Sequence, residues 1–253
     1  MRPFSQSTLK LSKVAGAVSA TCELSEAELS KIEISGLTHN DSQVEPGDLF
    51  MAIPGANRHG AEFAMSAVSK GAVAILTDSA GATFVKGTPV LVVADPRRVA
   101  GNIAALLYNE PMRDLASIGI TGTNGKTTVS TLIYQIFEAA GRDCGLIGTI
   151  ETRIGKDAIN SSRTTPEATD LQALSAVMRE RHMRHLVMEV SSHAMVLHRM
   201  QGAHFSFVGF TNLTQDHLDF HGDIESYFAA KAKLFTYDFA DQAVINIDSK
   251  YGA

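Results

Sequence analysis

A glycine-rich segment with a Gly-Lys-Thr ending is the first part of the chain whose residues suggest chemistry. It lies within residues 117–137, SIGITGTNGKTTVSTLIYQIF. Glycines between a strand and a helix let successive backbone N–H groups face phosphate oxygens, and the start of the helix adds partial positive charge. Lys126 can reach the β- and γ-phosphates of a nucleotide, and the Thr127 hydroxyl can bind Mg²⁺. The alternative is a tight strand-to-helix turn with an incidental lysine.

The spacing of these glycines differs from the common phosphate-loop pattern, G-x-x-x-x-G-K-[ST]. That pattern requires glycine at position 120, where this chain has Ile120, and the nearest glycines are Gly119 and Gly122. The loop is therefore written G-x-x-G-x-x-G-K-T. This spacing fits poorly with a generic P-loop kinase or GTPase.

One carboxylate lies in an apolar run that is predicted to be a buried strand. Glu189 occupies the segment HLVMEVS at residues 185–191. A buried carboxylate is costly unless a positive group meets it, and a Mg²⁺ ion bridging nucleotide phosphates would be such a partner. The alternative is a structural pairing of Glu189 with arginine or lysine.

A histidine and a lysine further along the chain are weaker candidates by residue type alone. His217 follows an apolar run, with Asp216 and His221 as nearby alternatives, but Mg²⁺ prefers oxygen ligands. Lys231, in YFAAKAKLF, fits a solvated lysine on an amphipathic helix, and its near neighbour Lys233 would lie on a different face of that helix. Chemistry alone therefore leaves both assignments open.

Short apolar strands that alternate with helices are predicted to position these residues. The predicted strands are residues 49–53, 72–78, 89–95, 115–121, 144–149, 185–191, 205–213 and 242–248. The predicted helices are residues 61–70, 96–108, 126–140, 168–182 and 224–235, with an irregular polar stretch at 150–165. The alternation predicts an α/β fold with a mainly parallel sheet and helices on both faces. A domain boundary is expected near residues 95–96.

Composition narrows the class of protein. The chain has 253 residues, 45% of them hydrophobic, and a formal net charge of −5, which does not suggest a nucleic-acid-binding protein. Two distant cysteines, Cys22 and Cys144, fit reduced thiols rather than a disulfide framework. No long apolar run or signal-peptide pattern occurs, so a cytoplasmic protein without a membrane span is expected. The end of the chain just after a predicted strand suggests a fragment of a longer protein.

Several collinear motifs resemble the Mur ligase family, which also includes folylpolyglutamate synthetases. TGTNGKTT resembles the ATP-binding loop of that family, with Gly122 in the family's position. The segments RTTPEATDLQ (163–172), MEVSSHAMVLHR (188–199) and FTNLTQDHLDFHGDIESYFAAKAKLF (210–235) resemble the branch that adds the third residue of the peptidoglycan stem peptide. GLTHNDSQVEPGDLFMAIPG (36–55) resembles the family's UDP-sugar-binding domain.

The resemblance implies an α/β architecture of two regions. Residues 1–95 would form the UDP-sugar-binding domain, and residues 96–253 an incomplete ATP-binding central domain, without the C-terminal domain. It implies a monomeric, ATP- and Mg²⁺-dependent ligase that joins an amino acid to UDP-N-acetylmuramoyl-L-alanyl-D-glutamate through an acyl phosphate. With the selecting domain absent, meso-diaminopimelate and L-lysine both remain open as the added amino acid. The fragment alone is expected to be inactive.

The resemblance also implies roles for individual residues. The catalytic set is Lys126, Glu189, His217 and Lys231, and the metal ligands are Thr127, Glu189, His217 and Lys231, the last as an N6-carboxylated lysine. The ATP loop comprises Gly122, Thr123, Asn124, Gly125, Lys126, Thr127 and Thr128. The substrate contacts are Ser42, Asn57, Thr164, Thr165, Ser191 and Arg199. Ser42 is the least direct match, because the usual Asp-Ser-Arg sequence reads Asp41-Ser42-Gln43 here after a shift of one residue.

Two further interpretations remain at this point. The chain could belong to another Mur branch or to a folylpolyglutamate synthetase-like ligase, although the UDP-sugar-binding-like segment argues against the folate enzyme. It could also be a nonenzymatic nucleotide-binding module derived from a ligase. The presence of Lys126, Glu189 and Lys231 argues against a degenerate site but not against a truncated one.

Overall fold

The computed structural model describes residues 1–5, 7–161 and 163–253. Within these ranges the early part of the chain builds a four-stranded sheet and the later part a seven-stranded sheet. None of the described helices has the length and apolar character needed to cross a membrane.

The four-stranded sheet is parallel throughout and its strands pair in chain order. The strands of this region are β1 (Leu9–Lys10), β2 (Glu33–Ile34), β3 (Gly36–Thr38), β4 (Asp48–Met51), β5 (Ala74–Thr77) and β6 (Val90–Val92). The helices are α1 (Leu11–Ala17), α2 (Glu26–Leu29), α3 (Ala64–Ser69), α4 (Ser79–Ala82) and α5 (Pro96–Leu107). Strands β3 to β6 form the sheet, whereas β1 and β2 pair separately and antiparallel. Short 3-10 helices occupy Asp41–Gln43 and Gly60–Phe63.

The seven-stranded sheet has the order β10-β9-β8-β11-β7-β12-β13. Its strands are β7 (Ala116–Thr121), β8 (Cys144–Ile147), β9 (Glu151–Ile154), β10 (Asp157–Asn160), β11 (His185–Glu189), β12 (Phe205–Phe210) and β13 (Ala240–Ile245). Its helices are α6 (Lys126–Ala139), α7 (Ala168–Glu180), α8 (Ser192–Val196), α9 (Leu218–His221) and α10 (Ile224–Ala232). Short 3-10 helices occupy Pro111–Asp114 and Lys233–Phe235. Strands β8, β11, β7, β12 and β13 run parallel.

Helices cover both faces of the central strand β11. Successive side chains of a strand point to opposite faces of the sheet, so the two faces of β11 pack against different helices. Leu186 and Met188 pack in a core with Val177 of α7. Val187 packs on the other side with Tyr134 of α6. The predicted α/β fold with a mainly parallel sheet is confirmed.

The prediction of an irregular stretch at residues 150–165 is wrong for its first part. Strands β9 and β10 form an antiparallel hairpin there, joined through Gly155 and Lys156. Gly155 has a φ of +61°, which suits the tight turn. Only β9 alternates buried and half-buried side chains, and β10 is exposed throughout. The absence of an apolar pattern in β10 concealed the hairpin in the sequence.

The two sheets are joined by helix packing and by the first residues of the chain. Ile103 of α5 and Ala173 of α7 share the core that contains Leu49 of β4. Arg2 places two hydrogen bonds of 2.7 Å on the buried Asp48 carboxylate, and the backbone N–H groups of Phe4 and Ser5 bind Glu180 of α7. Because α5 packs with both regions, the domain boundary at residues 95–96 stays a prediction.

An apolar surface remains exposed beside strands β12 and β13. Phe207 is 41% exposed, Val244 67% and Ile136 of α6 68%. A groove of about 700 Å³ runs between α6 and these strands, and Ile118, Ile133 and Val244 contribute to its lining. In the part of the chain that the structure describes, no element covers this groove, which is named the β12–β13 groove below.

Candidate active site

The glycine loop joins β7 to α6 through two backbone positions that glycine suits. Gly122 has a φ of +145°, and a Cβ there would lie 1.9 Å from the Thr211 hydroxyl oxygen. Gly125, at the start of α6, has a φ of +84°. Both positions are disfavoured for residues with a side chain. The loop can therefore turn sharply and present its backbone at the N-terminus of a fourteen-residue helix.

The segment after β12 holds this loop from the side. The Asn212 carbonyl accepts a hydrogen bond from Thr123 N–H, and its side-chain oxygen accepts one from Asn124 N–H at 3.0 Å. The Thr211 hydroxyl donates to the Asn124 carbonyl at 2.7 Å. The loop shape is thus maintained by neighbouring backbone and side chains.

Lys126 folds back over the loop. Its Nζ donates to the carbonyl oxygens of Gly122 and Thr123, both at 2.9 Å. Burial lowers the pKa of Lys126, while the charges of Glu189 and Asp216 raise it. A phosphate group at the loop would give this partly desolvated ammonium an anionic partner.

Glu189 lies at the carboxyl end of β11 and is 1% exposed. Its carboxylate accepts hydrogen bonds from the hydroxyls of Thr127 and Thr149, both at 3.0 Å, and from Thr149 N–H at 2.8 Å. Gly148 permits this approach, since a Cβ there would lie 2.5 Å from the carboxylate. Among the described residues, Glu189 forms no salt bridge, so the alternative of a structural pairing with arginine or lysine does not apply to them.

Lys231 of α10 is a buried lysine and not a solvated one. It is 2% exposed, and its Nζ donates to the Gly122 carbonyl oxygen at 2.9 Å. The Nζ also lies 4.6 Å from the centre of the Tyr227 ring. The pKa of Lys231 is lowered to about 7, chiefly by burial and further by the Lys126 cation, against an opposing effect of Asp216. A neutral amine is therefore accessible near pH 7. Lys233, two residues on, is exposed.

His217 lies among other aromatic rings at the edge of the loop. Its φ of +52° is left-handed, and its backbone N–H donates to Asp216 at 2.9 Å. The His193 ring centre is 4.8 Å away, and His193 also contacts His221 at 5.6 Å between ring centres. Burial lowers the pKa of both His193 and His221, and the neighbouring imidazoles lower it further.

The predicted substrate contacts form a chain of hydroxyls that leads away from Glu189. The hydroxyl oxygens of Thr164 and Thr149 are 3.0 Å apart, and since the Thr149 hydroxyl donates its proton to Glu189, Thr164 is the donor of this pair. The Thr165 hydroxyl donates to the Glu189 carbonyl at 2.9 Å and accepts from Ser191 N–H at 3.0 Å. Arg199 approaches the Thr165 carbonyl at 3.4 Å. These contacts connect the end of β11 with the start of α7.

A polar cleft of about 340 Å³ brings many of these residues together. Its lining consists of Thr123, Asn124, Gly125, Lys126, Thr127, Thr128, Thr149, Thr164, Glu189, Ser191 and His217. Lys231 contacts the loop through Gly122, and Thr165 and Arg199 join through the hydroxyl chain. A larger cavity of about 730 Å³ lies elsewhere, beside β6, and includes none of the predicted site residues.

Ser42 and Asn57 do not line this cleft. Ser42 donates its hydroxyl to the Asn40 side chain at 2.8 Å and is exposed. Asn57 lies in an exposed turn after Pro54 and Gly55. Their roles as contacts to a uridine or diphosphate stay predictions.

The donor set of the cleft fits a nucleotide-bound Mg²⁺ ion. Thr127 and Glu189 offer oxygen atoms, which Mg²⁺ prefers, and the ion is usually bound by one or two carboxylates together with substrate phosphates. Within the described ranges, no group of three or more histidine, cysteine or acidic residues could hold a metal alone. The arrangement therefore suits an ion that arrives with phosphates.

Sequence reasoning missed two residues that shape the site. Thr149 supplies two of the three hydrogen bonds to the Glu189 carboxylate. The Tyr227 ring lies beside Lys231, and the Tyr227 hydroxyl is 3.2 Å from the Thr123 hydroxyl. Thr149 follows β8, which pairs with β11, so its position at the carboxyl edge of a parallel sheet was the available signal. Tyr227 had no comparable signal, because a buried tyrosine in a helix has the pattern of a core residue.

Two family profiles match the chain in collinear order. The profile of the Mur ligase middle domain matches residues 120–253, and that described as the Mur ligase family catalytic domain matches residues 33–111. This chain belongs to the Mur ligase family. The middle-domain match contains the glycine loop, Glu189, His217 and Lys231, which are the residues gathered above.

Named Mur ligase relatives are similar over nearly the whole chain. A UDP-N-acetylmuramoyl-L-alanyl-D-glutamate–2,6-diaminopimelate ligase from Streptomyces avermitilis is 50% identical over 253 residues, covering 99% of this chain and 49% of the relative. A UDP-N-acetylmuramyl-tripeptide synthetase from Leifsonia xyli is 46% identical over 227 residues, covering 89% and 44%. The chain thus spans about half the length of these curated relatives.

Solved structures of Mur ligases share the fold. A structure of UDP-N-acetylmuramoyl-L-alanyl-D-glutamate–2,6-diaminopimelate ligase superposes with a TM-score of 0.79 at 25% identity, covering 97% of this chain and 48% of that one. A MurF structure from Acinetobacter baumannii superposes with a TM-score of 0.68 at 17% identity, covering 98% and 51%. The second likeness concerns the fold alone.

Proposed function

We propose that this chain is the UDP-sugar-binding and ATP-binding part of a ligase of peptidoglycan synthesis. The complete reaction would add a third amino acid to UDP-N-acetylmuramoyl-L-alanyl-D-glutamate, with ATP as the energy source. The observation that carries the proposal is the contact, at 3.0 Å, between Thr127 of the glycine loop and the buried Glu189, for which no salt bridge occurs among the described residues. A buried carboxylate beside a glycine loop supports the proposal of a nucleotide-bound metal ion there.

The loop residues Gly122 to Thr128 would bind the ATP phosphates through backbone N–H groups, and Lys126 would leave its two carbonyl partners for phosphate oxygens. Thr127, Glu189, His217 and Lys231 are the proposed metal-holding residues. Bound Mg²⁺ would supply positive charge that offsets the charge on the phosphates. These groups act by positioning and by charge stabilisation, as is usual in phosphoryl transfer.

The chemistry proposed for the substrate has two steps. A terminal D-glutamate carboxylate oxygen attacks the γ-phosphorus of ATP, the bond to the bridging oxygen breaks, and ADP leaves. The amine of the incoming amino acid then attacks the acyl carbon, loses a proton, and phosphate leaves as the amide forms. Thr164, Thr165, Ser191 and Arg199 would orient the dipeptide, with Ser42 and Asn57 as the proposed contacts of the UDP end.

We also propose that Lys231 carries an N6-carboxylate. Its neutral amine would add to CO₂, forming a nitrogen–carbon bond and releasing one proton. The product is an anion with oxygen donors, which suits Mg²⁺ better than an ammonium does. Burial of the amine against the Gly122 carbonyl supports this assignment.

The names of the relatives favour 2,6-diaminopimelate as the added amino acid, with L-lysine as the alternative. A reaction that uses ATP and a UDP-linked sugar would take place in the cytoplasm, where it would serve cell-wall growth and division. A monomer is the proposed state.

Calorimetric titration with MgATP and with the UDP-linked dipeptide tests the proposal. Both are expected to bind the 253-residue chain, and Lys126→Ala is expected to abolish MgATP binding while dipeptide binding persists. Lys250→Ala is a matched control on an exposed lysine. A parent chain that binds neither ligand would contradict the proposal.

A nonenzymatic nucleotide-binding module is the second candidate, because the chain spans about half of its relatives. Amino-acid-dependent release of ADP separates the two. Release by the 253-residue chain would support a complete ligase. Binding of MgATP and dipeptide without release would support a part of the ligase that needs more sequence to react, and binding of MgATP alone would favour the module.

A further inference from the structure

The hydroxyl of Thr121, the last residue of β7, is buried and has no hydrogen-bond partner among the residues that the structure describes. Thr121 is 0% exposed and directly precedes Gly122 of the glycine loop. A buried hydroxyl without a partner costs free energy, and native structures rarely keep one without a reason. Its place beside the loop makes this hydroxyl a candidate for contact with a group that the unmodified chain lacks.

The neighbours of Thr121 within the sheet are apolar. In the pairing of β7 with β12, Thr121 lies opposite Phe210. On the other side, Val190 follows the last paired residue of β11 and donates its N–H to the Ile120 carbonyl. Phe210 and Val190 both belong to hydrophobic cores. These two neighbours therefore offer the Thr121 hydroxyl no polar side chain.

The face of the sheet to which Thr121 points is covered by α10. Directly paired residues of neighbouring strands project to the same face, so Thr121 shares a face with Phe210, which packs in a core with Tyr227 of α10. Residues four apart in a helix lie on the same side, so Lys231 follows Tyr227 on the side of α10 that faces the sheet. Tyr227 is 1% exposed and Lys231 2%.

Lys231 brings a polar group to the residue that follows Thr121. Its Nζ donates to the Gly122 carbonyl at 2.9 Å. When the neutral amine adds to CO₂, a nitrogen–carbon bond forms, one proton leaves to solvent, and one N–H remains for the Gly122 carbonyl. The carboxylate so formed needs hydrogen-bond donors, because a buried anion without them is costly. The Thr121 hydroxyl is a donor without a partner on the same side of the sheet.

We propose that the Thr121 hydroxyl donates a hydrogen bond to the N6-carboxylate of Lys231 and holds the modified side chain beside the glycine loop. This inference rests on the proposed carboxylation of Lys231 and adds Thr121 as a positioning residue. A hydrogen bond from a hydroxyl to a carboxylate is among the stronger kinds and offsets part of the cost of burying the anion. Since a carboxylate has two oxygens, this bond leaves the other oxygen for a metal ion.

Carbon NMR of the 253-residue chain equilibrated with isotopically labelled CO₂ tests the inference without substrate, nucleotide or metal. The parent is expected to show a carbamate signal that Lys231→Met lacks. Thr121→Val keeps the shape of the side chain but removes the donor. It is expected to weaken the apparent affinity for CO₂ by about 10-fold or more, as for a hydrogen bond to a charged group. Thr121→Ser restores the hydroxyl and is expected to recover most of the signal.

Urea unfolding in buffer without CO₂ gives a second readout of opposite sign. Thr121→Val buries no unpaired hydroxyl, so it is expected to unfold at a higher urea concentration than the parent. Thr77→Val is the matched control, because Thr77 is also 0% exposed and ends a strand, but its hydroxyl donates to the Ala52 carbonyl at 3.0 Å. This control is expected to lose stability and to keep the parent's affinity for CO₂. Circular dichroism verifies that each variant is folded.

The outcomes separate the two proposals. A parent chain without a Lys231-dependent signal contradicts the proposed carboxylation, and this inference falls with it, whereas the ligase assignment is tested by the binding of MgATP and of the UDP-linked dipeptide. A signal that Thr121→Val leaves at the parent's level overturns the inference alone. So does an equal loss in Thr121→Ser and Thr121→Val, or a Thr121→Val chain that is less stable than the parent without CO₂.

Thr121→Cys keeps the inference testable should Thr121→Val fail to fold. A thiol is a weak hydrogen-bond donor, so this variant is also expected to bind CO₂ more weakly than the parent. An affinity for CO₂ equal to that of the parent would overturn the inference.

Discussion

Lys126 and Lys231 donate to the same oxygen atom, the carbonyl of Gly122, each at 2.9 Å. One lysine comes from the helix that follows the loop, and the other from a helix about a hundred residues later in the chain. Two ammonium groups on one carbonyl repel each other, and burial adds to the cost. Deprotonation of one lysine, or binding of an anion between the two, would remove this electrostatic repulsion.

The stability of the chain is expected to depend on pH through Lys231. Its pKa in the folded chain is about 7, below that of an unfolded lysine, so the unfolded chain holds more protons above that pH. The parent should therefore gain stability relative to Lys231→Met as pH rises from 7 to 9, by up to about 1.4 kcal/mol per pH unit. Urea unfolding in buffer without CO₂, Mg²⁺ or nucleotide measures this.

The control for that experiment is Lys233→Met, which changes an exposed lysine of the neighbouring turn. Its stability relative to the parent should not vary over the same range of pH. Parallel pH curves for the parent and Lys231→Met would show that Lys231 titrates as an ordinary lysine.

Glu189→Gln is expected to weaken MgATP binding by about 10-fold or more, because it removes the negative charge that would meet the metal. ATP in EDTA should not lose affinity, since the substitution also removes repulsion between the carboxylate and the phosphates. Calorimetry with and without Mg²⁺ compares the two. Glu151→Gln, on the half-buried start of β9, is the control. An equal loss with and without Mg²⁺ would argue for a structural role of Glu189.

Gly122→Ala is expected to destabilise the chain by about 2–4 kcal/mol and to abolish nucleotide binding. Its φ of +145° disfavours a side chain, and the new methyl group would collide with Thr211. Thermal or urea unfolding gives the stability change. Gly16→Ala in α1 has open space around it and should be neutral or stabilising by about 0.5–1 kcal/mol. Normal stability of Gly122→Ala would mean that the loop has another shape in solution.

The β12–β13 groove is expected to bind the apolar dye ANS, because it exposes a continuous hydrophobic surface. Ile133→Lys and Val244→Lys, which change two residues of the groove lining, together should lower the dye fluorescence severalfold. Ile150→Lys, which changes an exposed isoleucine outside this groove, is the control and should have little effect. Dye fluorescence that is unaffected by the groove substitutions would place the binding surface elsewhere.

Much of the fold could be predicted because apolar runs such as residues 185–189 have a length and composition typical of buried strands. The strand β3 was missed because three residues carry too little pattern, and the β9–β10 hairpin because β10 is exposed throughout. The alternation of apolar and polar residues in a sequence reflects which side chains are buried. A strand whose side chains are all exposed therefore has no such alternation.

The site was harder to predict than the fold, since its contacts join distant segments. The loop motif and its chemistry could be predicted from the sequence. The role of Lys231 came only from the resemblance, because by residue type alone it fitted a solvated lysine. The contacts of Thr149 and the pairing of Arg97 with Glu167 depend on how the strand ends and helix starts converge in space. Local pattern does not encode such convergence.

The contacts of the first residues have a practical consequence for protein production. Arg2 binds a carboxylate that is 1% exposed, and Phe4 and Ser5 bind α7, so any affinity tag fused ahead of Met1 would emerge beside the joint between the two sheets. A bulky fusion partner at this position is expected to disrupt these contacts and to lower the yield of folded protein. Removable tags with a long flexible spacer are the better choice for purification and crystallisation.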